Sequence, residues 1–473
     1  MNALTRLRFR GHGIAQCILL FLFAAAPLQA FEEFPMGILG ATGKATPGQT
    51  HIEITSVQDG SPAQKAGLQT GDWITGIGQH PFPPHTDRVD DGGNGPQRAL
   101  GEALDETAAQ STEKDRQIAL SVRKAASVTE PAKDLICTLP HRPSILQEQG
   151  RQQLIDRAAE HLRKTCLAEG YWNSPVGLTG DRVLTAWATV ALQSLGQAEN
   201  RDTLERCRTW LRGPEGRCWV PQDALQKGPD NLGNWALTAT AVALVEGCQG
   251  QPSVDEQRSI KIICDTLCQR MNDEGQFGHD ITTGYSGKGF NVINTLAHLA
   301  WAMGARAGVP IDQPSWNLSL KQVRQSVDPN GGVRYWTMKN TGTSDASLRT
   351  SSMGLGLEIA EQEDELVETF ARYLDQHAAR TREAHAVGSM GMMLAPAALW
   401  RHDPAAYQRF LREWQWYLSL MQDHRGKLTY IGGKRNNGGD SYLGRDRIAC
   451  VIAIMMLAPP DQRLILFQSS RSE

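Results

Sequence analysis

Six segments of this 473-residue chain share one plan: a polar or Gly-rich opening, then a run of small and apolar residues. They are Gly180–Leu195, Asn231–Gly247, Gly289–Gly304, Ser344–Ala360, Glu383–Trp400 and Asp440–Ala458. Alternating with them are six segments charged on one face only: Gln152–Leu167, Asp202–Arg212, Val254–Met271, Ser315–Val327, Glu363–Ala379 and Ala405–Gln422. With Asp181, Asn234, Asn291, Asp345, His385 and Asp440 as markers, the spacings are 53, 57, 54, 40 and 55 residues. Such a repeat is one supersecondary unit that buries its apolar face only by stacking on its neighbours. A helix apolar all round is buried, and an amphipathic one lies outside it. Six such pairs predict an all-α (α/α)6 toroid of helical hairpins over residues 146–460, followed by a tail, 461–473, that can cap the ring.

Turns with Gly just before an aromatic precede most inner helices: Gly170-Tyr171-Trp172, Gly216 to Trp219, Gly275 to Phe277, Gly331 to Trp336 and Gly426 to Tyr430. These turns resemble those of the terpenoid-cyclase and prenyltransferase superfamily of toroids. Inner helices of a toroid begin at one mouth of the ring, where their dipoles also point. This places Asp181, Asn234, Asn291, Arg349, Ser389, Tyr430 and Asp440 along the cavity, and Arg382, Glu383 and His385 at the start of one inner helix. Gly388 and Gly391 permit close helix contact there, and Pro396 is expected to kink or end that helix.

The chemistry the superfamily resemblance implies is only partly matched. The D-x-D-D acid cluster of protonating terpene cyclases is absent from the toroid. Asp440, Cys450 and His385 are the residue types that hold zinc in protein prenyltransferases, but their spacing differs, so neither metal nor cofactor is expected. Glycoside hydrolysis needs two carboxylates about 5–10 Å apart. Glu383, Asp345, Asp181, Asp280 and Asp440 can supply them, and Trp172, Tyr285, Trp336 and Tyr430 can stack on sugar rings. For Asp181, Asn234 and Asp345, helix N-capping is the first expectation. Glu383, His385, His279 and Asp345 are the catalytic candidates. Ser389 and His385 can pair as nucleophile and base along one helix face, without an evident third member.

The N-terminal part reads differently. Arg6, Arg8 and Arg10 precede the apolar run Ile14–Ala26, and then come Pro27-Leu28-Gln29-Ala30. This is the pattern of a cleavable signal peptide, residues 1–30, and predicts a periplasmic or secreted protein with no membrane span after cleavage. Gly60-Ser61-Pro62-Ala63, Ala66-Gly67-Leu68 and Gly71-Asp72-Trp73-Ile74 resemble a bacterial-type PDZ domain, placed at residues 31–125 with a linker at 126–145. The resemblance implies a small α+β domain that binds a protein or peptide C-terminus by strand addition. Met36, Gly37, Ile38, Leu39 and Gly40 match its carboxylate loop, and Ala99, Leu100 and Ala103 lie on its groove helix. The alternative is an internal brace with the groove filled by the chain itself.

The order of signal, PDZ, Cys137–His141, then toroid resembles a bacterial family of secreted proteins defined by a domain of unknown function. Gly275–His279, Gly289–Asn294 and Arg382–His385 carry the resemblance within the toroid, although Ala384 departs from the Gly that family places before its His. A formal charge of −3 without long Lys/Arg runs excludes a nucleic-acid partner. Eight cysteines follow the signal, and Cys207 with Cys218 is the first pair to consider for a disulfide. Two functions lead, with a terpenoid-cyclase-like enzyme as a third, less favoured reading. The first is a secreted scaffold that binds peptide C-termini and holds a carbohydrate or small molecule in its toroid. The alternative is a toroid hydrolase or lyase acting on polysaccharide or peptidoglycan, with the PDZ domain as targeting module.

Overall fold

The computed structural model describes residues 33–85, 95–125, 130–213, 233–279, 289–337, 345–383, 388–432 and 443–468. The expected signal peptide, His385, Asp440, Asp280, Tyr285 and Cys218 lie outside the described residues.

The chain opens with seven antiparallel strands: β1 Glu33–Pro35, β2 Ala41–Lys44, β3 Ile52–Val57, β4 Trp73–Ile77, β5 His80–Pro81, β6 Gln117–Arg123 and β7 Lys133–Thr138. The sheet order is β1-β2-β3-β4-β6-β7, with β5 beside β4. Helix α1, Pro62–Ala66, begins as its sequence dictates. The Ser61 hydroxyl accepts the Gln64 N–H at 3.1 Å, Pro62 takes the first turn, and Gly67 ends the helix at φ 87°. Helix α2, Gly95–Ala108, buries Leu100 and Leu104 and leaves Ala99 and Ala103 half-buried. The expected linker 126–145 is in part sheet: β7 pairs with β6 from Lys133 to Thr138.

Twelve α-helices follow among the described residues. The outer set is α3 Glu148–Thr165, α5 Arg201–Arg212, α7 Val254–Arg270, α9 Gln313–Ser326, α11 Asp364–Gln376 and α13 Pro404–Met421. The inner set is α4 Leu178–Leu195, α6 Gly233–Cys248, α8 Asn291–Arg306, α10 Ser347–Ile359, α12 Gly388–His402 and α14 Arg445–Leu457. The inner helices touch in the cycle α4-α6-α8-α10-α12-α14-α4, and each carries an outer helix, α3 lying on α14. The helical region is thus a toroid of six inner and six outer helices. The expected start of the fifth inner helix needs correction. Arg382 and Glu383 belong to a 3-10 turn, Ala378–Glu383, and the described part of α12 runs from Gly388. Pro396 lies inside α12 and does not end it.

The Gly-aromatic turns are one device used repeatedly. Gly170, Gly275, Gly331 and Gly426 have φ between 84° and 91°, where a side chain would be strained. Asn272, Asp328 and Asp423 open three of these turns, each accepting two following backbone N–H groups at 2.8–3.1 Å. Each glycine abuts the next outer helix, at Arg206, Leu318 and Thr369, and Gly426 meets Arg157 on α3. The last turn therefore closes the outer ring on the first helix. Thr185, Asn294 and Thr350 on inner helices accept the N–H groups of Trp172, Phe277 and Val333, at 3.1–3.2 Å, fixing each turn to its own hairpin.

The end of the ring at the inner-helix C-termini is filled by the tail. Leu464, Ile465, Leu466 and Phe467 are buried. The Glu246 carboxylate on α6 accepts the Ile465 and Leu466 N–H groups at 2.9 Å each, and Arg401 on α12 donates to the Ile465 carbonyl at 2.7 Å. Arg401 also pairs with Glu358 on α10 at 3.2 Å. Part of the expected tail is therefore integral to the ring. Cys207 lies with its Sγ 3.8 Å from that of Cys166, both as free thiols.

Candidate active site

The opposite end of the ring, at the inner-helix N-termini, gathers most of the residues singled out in the sequence. An aromatic wall crosses three repeats. His279 stacks on Phe290 with centroids 4.4 Å apart, and Phe290 meets Tyr335 at 5.3 Å and Trp336 at 5.0 Å. The Trp235 indole donates to His279 Nδ1 at 2.9 Å, which leaves Nε2 as the proton-bearing nitrogen of the neutral ring. His279, Tyr335 and Trp336 are half-buried, so their faces are the accessible part of this wall.

Asn234 and Asn291 have a different task. Both are buried and tie the start of one inner helix to the turn of the next hairpin. The Asn234 amide donates to the Gly278 carbonyl at 2.9 Å, and its oxygen accepts from Arg270 at 3.0 Å. The Asn291 amide donates to the Arg334 carbonyl at 2.8 Å. Their backbone N–H groups bond the His279 and Tyr335 carbonyls, each at 3.0 Å. Asp181 likewise serves its own turn, accepting the Ser174 N–H. Asn234 and Asn291 thereby support the aromatic wall, and Asp181 its own turn.

Two carboxylates are each held by an arginine, and the Asp345 pair stands beside the wall. Asp345 pairs with Arg349 at 2.6 Å; Arg349 is fully buried, donates to the Val333 carbonyl and lies 5.4 Å from the Tyr335 ring centre. Glu383 is 5% exposed and lies 3.5 Å from Arg382, which covers the Trp416 ring on α13 at 5.6 Å. The turn that carries Glu383 packs on both α10 and α12, so both acids belong to the same sector of the mouth. Ser389 is wholly buried, and its hydroxyl has no partner among the described residues. Tyr430 is buried, its N–H bonded to the Arg445 carbonyl at 2.9 Å. Trp172 is also buried, its indole bonded to the Leu162 carbonyl, and is a packing residue, not the sugar platform expected.

Sequence reasoning missed His161. Its Nε2 lies 3.1 Å from Asp446 at the start of α14, and this bond holds the Asp446 carboxyl well below the usual carboxylate range. It also missed the Glu246–Glu358–Arg401 cluster, for which the signal was a charged residue near the end of three otherwise apolar helices. Burial pushes Glu246 up to about 7, against the two N–H bonds and Arg401. A groove of 530 Å³ opens at that tail-filled end, lined by Gln193, Gln249, Arg306 and Arg463 among others, far from the acids of the mouth. Cys450 is buried in α14 with its thiol pushed up by burial. Among the described residues, no three His, Cys, Asp or Glu side chains are placed to hold a metal, and no helix is long and apolar enough to cross a membrane.

At the PDZ-like unit, the expected carboxylate loop Met36–Gly40 joins β1 to β2 and is buried throughout. The edge of β2 not paired with β3 is paired with β1. The loop and α2 both pack on α13.

Fold and site define a two-part protein, a PDZ domain fixed to an α/α toroid with a polar and aromatic mouth. A family model described as "Domain of unknown function (DUF6288)" matches residues 188–467, more than half of the chain, and the chain belongs to that family. A PDZ domain model matches residues 53–91, so a fold that takes extended peptides is present. No curated protein matches the sequence. Among solved structures the chain is similar to the α-1,6-mannanase of Salegentibacter sp. HEL1_6, at 9% identity and TM-score 0.48, over 66% of this chain and 99% of that one. It is also similar to a glycosyl hydrolase family 88 protein from Bacteroides vulgatus, at 10% identity, TM-score 0.45 and 66% and 99% coverage. A type II terpene cyclase from Scytonema gives 13% identity, TM-score 0.42 and 66% and 98% coverage.

Proposed function

We propose that the toroid mouth binds saccharide rings and that the chain is a carbohydrate-active protein, a hydrolase or lyase acting on polysaccharide or peptidoglycan outside the cytoplasm. One observation carries the reading: the aromatic wall His279–Phe290–Tyr335–Trp336 runs beside the Asp345–Arg349 pair at the end of the ring that the tail does not fill, and the turn carrying Glu383 packs on the helix that Asp345 precedes. Sugar rings present C–H faces that stack on aromatic faces, and hydroxyls that bond to carboxylates and guanidinia. Two carboxylates in one sector are what acid–base cleavage of a glycosidic bond requires. Glu383 and Asp345 are assigned the acid and base roles, with His279 Nε2 as a further proton carrier. Arg349 and Arg382 orient the two acids.

The test is turnover of a panel of neutral and acidic polysaccharides and muropeptides by the full chain, read as new reducing ends or as the ultraviolet absorbance of an unsaturated lyase product. Turnover should be lost in Glu383→Gln and Asp345→Asn, while Trp336→Ala should mainly raise KM. A folded protein that neither binds nor cleaves any member of the panel refutes the reading.

A further inference from the structure

We infer that Glu33–Pro35 is the resident occupant of the PDZ peptide groove, and that an external peptide enters only when this strand is displaced. A peptide bound to a PDZ domain adds antiparallel to the strand after the carboxylate loop, its C-terminus at that loop. In this chain β1 holds that position. It runs antiparallel to β2 in the register Glu33↔Lys44, Phe34↔Gly43 and Pro35↔Thr42, while the other edge of β2 is used by β3. Pro35 leads directly into the loop, so the main chain continues where a free carboxylate would end.

The loop is committed in the same way. The N–H groups of Met36, Leu39 and Gly40 donate to the carbonyls of Ala41, Met36 and Gly37, at 2.9, 3.3 and 3.0 Å. A carboxylate would need such N–H groups pointing outward. Side chains anchor the strand: Phe34 is 1% and Met36 0% exposed.

Helix α13 of the toroid then covers the loop and the groove helix. A Cβ on Gly37 would lie 2.6 Å from the Ser419 carbonyl oxygen, and one on Gly101 would lie 2.6 Å from that of Trp416. Arg98 pairs with Glu413 at 2.6 Å, the Gln415 amide donates to Asp105 at 2.6 Å, and Arg142 donates to the Ser419 hydroxyl at 2.7 Å. The PDZ unit is therefore docked through the elements that a free PDZ domain keeps for its ligand. The resident strand makes it a brace, and its release is the condition for any peptide partner.

The experiment uses the full chain and a variant lacking residues 31–35, with a fluorescein-labelled peptide Phe-Glu-Glu-Phe-Pro as probe, read by fluorescence anisotropy. The variant should bind the probe at least tenfold more tightly than the intact chain, because the intact chain is competent only in the fraction with β1 released. Equal binding by both, or no binding by a folded variant, overturns the inference. Hydrogen exchange on the intact chain decides the matter if the variant does not fold. The Ala41–Lys44 amides should exchange slowly and should speed up at least tenfold in Phe34→Ala. Fast exchange of these amides in the intact chain, as on an open sheet edge, would equally overturn it.

Discussion

His298 gives the sharpest test of how the toroid is packed. It lies in the middle of α8 with no exposed surface, edge-on to Trp316 at 4.2 Å and Trp301 at 5.5 Å, and neither ring nitrogen has a partner among the described residues. Burial pushes its pKa down to about 3, from 6.5. Below pH 6.5 the unfolded chain takes up a proton that the native chain refuses, so stability falls as pH falls toward 3. The slope is about 1.4 kcal/mol per pH unit, roughly 5 kcal/mol over the whole window. Glu246 acts in the opposite sense. Raised to about 7 from 4.5, it is protonated in the native chain first, so its contribution grows as pH falls from 7 to 4.5. The two offset each other between pH 6.5 and 4.5. His298→Phe keeps a planar ring, one atom larger, and removes one of them. At pH 8 the variant should already be more stable by about 1–3 kcal/mol, since two unpartnered polar atoms leave the core. Its advantage should grow by roughly 3 kcal/mol from pH 6.5 to 4.5. Urea unfolding followed by tryptophan fluorescence at several pH values measures this gap. A gap that does not change with pH would refute the reasoning, because it would mean that His298 titrates in the native chain as it does in the unfolded one.

Four further outcomes are expected. Asn234→Ala strands the Gly278 carbonyl and one Arg270 nitrogen, and should cost about 2 kcal/mol or more in thermal unfolding. Gly275→Ala forces a Cβ to 2.5 Å from the Leu318 carbonyl oxygen at φ 84° and should cost about 2–3 kcal/mol in the same assay. Cys166 should alkylate with iodoacetamide well before Cys207 in the folded protein, as judged by peptide mass. The bond to the Cys207 thiol lowers the Cys166 pKa, while burial foremost raises that of Cys207. Truncation after Ala458 removes the tail N–H groups bonded to Glu246 and the Ile465 carbonyl bonded to Arg401, and should lower the melting temperature by several degrees, by about as much as the burial of four apolar side chains implies.

The ring was readable because its cause is local and repeated. Apolar period and charged outer faces recur in every hairpin and Gly-aromatic turns in most, and each helix expected from them is present to within a few residues. The departure at the fifth inner helix has a physical reason. Arg382 and Glu383 lie in a tight 3-10 turn, which carries no apolar periodicity of its own for the marker spacing to register. Asn234 and Asn291 were legible as polar residues opening inner helices, but their use as stitches between hairpins depends on partners some 44 residues away, and so does the pairing of Trp235 with His279. Cys166 and Cys207 meet for the same kind of reason, the C-terminus of α3 lying against the middle of α5. The self-pairing of β1 was hidden for a different one. Three residues carry too little alternation to mark a strand, and only the hairpin register shows that they fill the groove.

One residue joins the two halves of the molecule. Trp416 on α13 is buried, with its backbone against Gly101 of the PDZ unit and its ring beneath Arg382, which lies beside Glu383. Any shift of the PDZ unit on α13 must therefore be absorbed by Trp416 or passed to the turn that carries a candidate catalytic acid, since close-packed interiors do not compress. Gly101→Val makes the shift without touching the mouth. If the brace positions Glu383, this variant should lower kcat on whichever saccharide the full chain cleaves and leave KM nearly unchanged, because the aromatic wall stands on other helices. An unchanged kcat in a folded Gly101→Val protein would show instead that the 3-10 turn is held by α10 and α12 alone, and that the PDZ unit contributes stability and not catalysis.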